Sequence, residues 1–147
     1  MATHAARASR TEDSAGATSA RMLWLAGWVF AAGSAIHVAD HLRRGSDSIS
    51  ETLSRLGNVA LVIQVVTVTL VLTRHHLAPM FATVAGFALA AGFAAAHWLP
   101  EWSSLSDPVW EIDSLGGLSL FASGLEIAGA LAIGIAGARC LADPSTA

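Results

Sequence analysis

The chain has 147 residues, of which 54% are hydrophobic and 13% charged, with a formal charge of −3. Its mean hydropathy of +0.56 is well above that of a typical soluble domain. At this length there is room for one helical unit and no separate soluble domain. All eight basic residues are arginine, and none is clustered with interleaved aromatics, so nucleic-acid binding has no support.

Residues 1–21 (MATHAARASRTEDSAGATSAR) are small and polar, cannot bury enough apolar surface to order themselves, and read as a disordered tail. Four apolar segments then follow at about 22–42, 54–73, 77–99 and 115–138. Each is close to the ~20 residues that a helix needs to cross a ~30 Å hydrocarbon layer. The expected fold is an all-α integral membrane protein, a four-helix transmembrane bundle within residues 22–140. The first segment exceeds a usual signal-peptide core and carries His37, Asp40 and His41 at its far end, so it is expected to stay as a span.

The second segment (ALVIQVVTVTLVL) is β-branched and bulky, with Gln64 near its middle. In a bilayer only a helix satisfies such a backbone, and its bulk suits an outer, lipid-facing position. The third opens on Pro79, a helix-start proline, and places Ala78, Ala82, Gly86, Ala90 and Ala94 at every fourth position. That stripe lets another backbone approach closely, which is how helices gain packing energy in lipid. It ends at His97. The connection over 100–114 holds Glu101, Asp107, Glu111 and Asp113 and no base, and is the only one long enough for a lid or interfacial helix.

The fourth segment carries Gly124, Ala128, Gly129, Gly134 and Gly137, with Glu126 near its middle. A carboxylate at mid-bilayer needs a partner, and Gln64 is the candidate, giving a buried polar pair of Gln64 and Glu126. Its role is either a helix–helix hydrogen bond or a relay toward the histidines. Residues 141–147 form a short polar tail. The single cysteine, Cys140, excludes an intrachain disulfide and any Cys-x-x-Cys site. Trp24, Trp28, Trp98, Trp102 and Trp110 mark the ends of the spans as interfacial anchors.

With four spans, the side holding both termini has Arg7, Arg10, Arg21, Arg74 and Arg139, against Arg43, Arg44 and Arg55 on the other. The excess places the termini in the cytoplasm of a multi-pass cell-membrane protein. The partners expected are the lipid bilayer and, through the small-residue faces, further copies or a larger complex.

One polar constellation carries chemistry. In HVADHLRR, His37, Asp40, His41 and Arg44 fall at i, i+3, i+4 and i+7 and share one helical face. The ends of segments 1 and 3 emerge on the same side in a four-span topology, which brings His97 to the same boundary. Two imidazoles at i, i+4 aim at one point, and neutral imidazole suits zinc, copper or iron. The expected site is therefore a divalent metal held by His37, His41 and His97, with Asp40 as ligand or orienter, and with Glu101 or Asp113 approaching from the loop. Two further readings compete: a b-type haem between His37 and His97, and a non-catalytic accessory subunit. No nucleophile with a spaced base and no Cys-x-x-Cys-His motif is present, so whether the chain is an enzyme stays open.

Overall fold

The computed structural model describes residues 2–45, 49–112 and 116–143. It is all-helical: α1 (Ala2–Arg44), α2 (Glu51–Leu72), α3 (Ala78–His97) and α4 (Gly116–Ala142), with a 3-10 turn at Val109–Glu111 before α4. All four helices contain a stretch long and apolar enough to cross a membrane, that of α1 lying within Gly16–Arg44. The first helix starts at Ala2, whereas the composition of 1–21 points to a tail; once a long apolar helix is nucleated downstream, adding a residue is far easier than starting anew. Helix α4 likewise runs four residues past the apolar segment, to Ala142.

Local chemistry sets the ends. Gly45, at φ 90°, takes the left-handed conformation after α1, and its N–H donates to the His41 carbonyl at 3.1 Å. Ser50 caps α2, its hydroxyl accepting from the Leu53 N–H at 3.1 Å, with Glu51 in the first turn. Arg74, at φ 54°, turns the chain into α3, which carries a proline in its first turn.

Helix α4 is the hub, packed against both α1 and α3. The small residues explain how. A Cβ on Gly86 would stand 2.6 Å from the Gly134 nitrogen, and one on Gly33 would stand 2.9 Å from the Leu125 carbonyl oxygen. Backbone therefore meets backbone at both contacts, and Ala78, Ala82, Gly86 and Ala90 are buried. Phe30, Ala82, Ala130 and Ile133 form the fully enclosed centre. Helix α2 leans on α1 and α3 and scarcely touches α4. Its Val59, Val62 and Val65 face outward, as its bulky composition predicts.

Candidate functional site

The ends of α1 and α3 meet at one end of the bundle. His37 and His41 stand one turn apart on α1, and His97 is the last residue of α3. Their rings are mutually packed: the centroids are 4.5 Å apart for His37–His41, 4.8 Å for His37–His97 and 5.7 Å for His41–His97. One ring nitrogen from each lies within 4.8 Å of the others, so the cluster could hold a metal ion. Phe93, one turn before His97, closes one side with its ring 5.9 Å from that of His37.

The ring nitrogens have defined neighbours. The Asp107 backbone carbonyl lies 3.1 Å from His97 Nδ1 and can only accept, so that nitrogen carries the proton and Nε2 keeps its lone pair. Arg44 Nη2 donates to His41 Nδ1 at 2.9 Å. Neutral His41 therefore carries its proton on Nε2, which lies 2.9 Å from His37 Nε2 and donates to it. The remaining proton of His37 then sits on Nδ1, 3.5 Å from Glu126 Oε2. Two of the three imidazoles thus hold an Nε2 lone pair, while a carbonyl or a carboxyl faces the opposite nitrogen. Metal-ligating histidines commonly have that outer arrangement.

Asp40 is not part of the cluster. Its carboxylate accepts from Arg43 Nη2 at 2.6 Å and from the Ser119 hydroxyl at 2.7 Å, and Arg44 Nε stands 3.3 Å away. Arg43 and Ser119 hydrogen-bond the carboxylate and Arg44 pairs with it by charge, so Asp40 acts on the imidazoles through its charge and through Arg44 rather than by contact. Among the described residues the loop carboxylate at the cluster is not Glu101. Glu101 is exposed, and Asp113 lies outside the described residues. Asp107 takes the position instead. The Asp107 N–H donates to the Ala96 carbonyl at 2.8 Å, folding the loop back over the end of α3, and the Ser106 hydroxyl accepts from the Trp102 N–H at 3.0 Å.

Asp107 and Arg44 form a two-pronged pair, with Nη1–Oδ1 at 3.0 Å and Nη2–Oδ2 at 2.5 Å. Burial alone would push the Asp107 carboxyl up; the hydrogen bonds from His97 and Arg44 outweigh it and hold the group well below the usual carboxylate range. Arg44 thus ties Asp40, His41 and Asp107 into one assembly at the end of α1.

Deeper in the bundle, Glu126 is 1% exposed. Ser34 and Gln64 flank its carboxyl, and His37 lies on the cluster side. Among the described residues, His37 Nδ1, Gln64 Oε1, Glu126 Oε2 and Ser34 Oγ are buried with no partner at hydrogen-bonding geometry. The polar residues thus line up from Arg44 through His41 and His37 to Glu126 and Gln64, connecting the end of the bundle with its middle.

Sequence reasoning singled out His37, His41 and His97, which come together, and Gln64 and Glu126, which become neighbours. It overlooked Asp107, Ser119 and Ser34 as members of the assembly. A signal existed for the serines: Ser119, Ser123 and Glu126 recur at i, i+4 and i+7 on α4, and Ser34, His37 and His41 at i, i+3 and i+7 on α1. Nothing local distinguished Asp107 from the other loop acids.

The cluster borders a cavity of about 910 Å³ between α1, α2 and α3, lined by His37, His41, His97, Gln64 and Glu126 and otherwise mostly by aliphatic and aromatic side chains. His75 and His76 lie at the opposite end of α3, in the turn beside Arg74. No family model, curated protein or solved structure matches this chain, so the functional reading rests on the site itself.

Proposed function

We propose that this protein is a small four-span membrane metalloprotein, binding one divalent transition metal through His37, His41 and His97 near one membrane boundary. The observation that carries the reading is the convergence of three largely buried imidazoles from two helices, with one nitrogen of each within 4.8 Å of the others. An all-nitrogen set of neutral ligands suits zinc, copper or iron. Across a tetrahedral zinc with ~2.0 Å bonds, two nitrogens stand about 3.3 Å apart. The 2.9 Å between the Nε2 atoms of His37 and His41 needs only a few tenths of an ångström of adjustment.

His97 presents a lone pair as it stands, and that of His37 is freed once the His41 proton leaves Nε2. His41 joins by giving up its hydrogen bond from Arg44, so that its proton moves to Nδ1; Asp40 and Asp107 hold Arg44 meanwhile. Asp40 serves as an anchor for that arginine rather than as a ligand. The arginine distribution puts both termini in the cytoplasm and the site on the opposite face.

The b-type haem reading draws less support, because His41 packs against both His37 and His97 and leaves no slot for a macrocycle between them. The accessory-subunit reading loses its main motive. Ala82, Gly86 and Ala90 are used inside the chain, against α4.

Metal quantification and an absorption spectrum on protein purified without a histidine tag test the proposal. Stoichiometric zinc, copper or iron is expected, lost in His37→Ala and in His97→Ala while helical circular dichroism is retained. Imidazole coordinates only when neutral, so acidification releases the metal. Metal at background level in the native protein overturns the reading, and a Soret band overturns it in favour of haem.

A further inference from the structure

The cavity beside the histidines has a shape and a polarity that the metal alone does not explain. Its α3 wall runs from Met80 to His97, about 25 Å at 1.5 Å per residue, so it follows most of the length of a span. It opens sideways: Leu56, Val59, Met80 and Val84 line it and are exposed at the outer surface of the bundle. Polarity is graded along it. The third nearest the start of α3 is walled by Met80, Phe81 and Val84, whereas His37, Gln64, Glu126 and His97 sit toward the middle and the other end.

The polar end is built rather than incidental. His37, Gln64 and Glu126 are each more than nine-tenths buried, line the cavity, and carry buried polar atoms without a hydrogen-bonding partner among the described residues. Such atoms are strongly disfavoured unless something supplies the missing bonds. The proposed metal aside, the side chains of the cavity offer no cation to an anionic head. Among the described residues no arginine lines it, Arg43 and Arg44 are paired with Asp40 and Asp107, and the chain has no lysine. A phosphate-bearing lipid would bury its charge unpaired. A neutral head that both donates and accepts suits the polar side chains at this end.

We propose that this cleft is the binding site of a neutral, chain-like lipid bearing a hydroxyl or carbonyl head, entering sideways from the bilayer between α2 and α3. Its head lies against His37, Gln64 and Glu126, and its chain follows α3 toward Met80. The assignment deepens the metalloprotein reading, because the head sits beside the proposed metal ligands and the lipid becomes the candidate substrate of that site. It stands on the cavity, however, and is tested apart from the metal.

The test uses the full chain in phosphatidylcholine nanodiscs and a diazirine-bearing palmityl alcohol as photoprobe. Labelling is expected on the cleft walls of α2 and α3; in protein stripped of metal by a chelator it is competed by palmityl alcohol more than about tenfold better than by palmityl phosphate, because the side chains of the lining cannot neutralise a phosphate. A side chain at Gly92, where an added Cβ meets nothing within 4 Å, projects into the cleft without displacing the fold. Gly92→Phe should cut labelling several-fold while metal content stays native. Gln64→Leu should weaken the preference for the alcohol over the phosphate. Labelling spread evenly over all outward helix faces, equal competition by the phosphate, or labelling unchanged in folded Gly92→Phe would each overturn the proposal. Labelling of a protein that holds no metal as purified supports the cleft, and the missing metal then counts only against the metal reading.

Discussion

Replacing Asp107 by Asn removes one charge from the Arg44 assembly while keeping the side chain's size and the backbone carbonyl that accepts from His97. In the native chain the Asp107 carboxylate is 9% exposed and accepts both prongs of the Arg44 guanidinium, at 3.0 and 2.5 Å. Breaking a buried ion pair by removing one partner costs about 3–5 kcal/mol. Arg44 keeps Asp40 at 3.3 Å, so its charge is not stranded, and the loss should fall at or below the lower end, about 2–3 kcal/mol. Reversible unfolding in mixed detergent micelles, followed by circular dichroism, measures it. The pH dependence supplies the sharper check. The folded-state pKa of Asp107 is depressed, so its contribution is present above the unfolded value of about 3.9 and is lost as pH falls through the lower folded value. The gap between native and Asp107→Asn protein should be constant above about pH 5 and should narrow steadily below pH 4. A gap under about 0.5 kcal/mol at neutral pH, or one that stays the same at pH 3, would refute the reasoning.

Three further outcomes follow from the same contacts. Glu126→Gln keeps a hydrogen-bonding side chain beside Ser34 and Gln64 and should cost less than about 1 kcal/mol, whereas Glu126→Leu leaves those groups facing carbon and should cost about 1–3 kcal/mol in the same unfolding assay. Gly86→Val drives carbon into the Gly134 backbone, where a Cβ already meets nitrogen at 2.6 Å; a loss of more than about 2 kcal/mol is expected, and near-native stability would contradict the α3–α4 contact. Single cysteines at Ala8 and Leu105, in a Cys140→Ala background, should react with an impermeant maleimide from opposite sides of the membrane, and labelling from one side would contradict the four-span topology.

The four long apolar helices were legible because length and hydropathy are additive along the chain, and a stretch of that length and composition admits few alternatives to helix. The three histidines were legible for a related reason: helical periodicity fixes His37 against His41, and an even number of crossings carries His97 to the same end. The anchoring of the site was not. Asp107 is one of four acids in its loop, and only the hydrogen bond from its N–H to Ala96 and the Ser106 turn select it over Glu101. Asp40 looked like a ligand because it shares the face of His37 and His41. Periodicity gives the face but not the competition, and Arg43, Arg44 and Ser119 reach that carboxylate before any imidazole does. Gln64 and Glu126 could be paired on depth alone. The approach of His37 to Glu126 additionally requires the close α1–α4 contact that Gly33 permits.

None of the three clustered imidazoles belongs to α2. They hang on α1 and α3, and those two helices are clamped to α4 by backbone contacts that leave little freedom to slide. The second helix contributes Gln64 and one wall of the cleft, and is joined to the rest far more sparsely. The protein thus combines a tightly packed frame that fixes the histidines with a sparsely joined α2, placed like a shutter along the cleft beside them. Exchanging apolar residues on the shutter should retune which lipophiles are admitted without shifting a single ring nitrogen. Variation and breathing motion are therefore expected to concentrate on α2, the most sparsely packed of the four helices, while the histidines stay put.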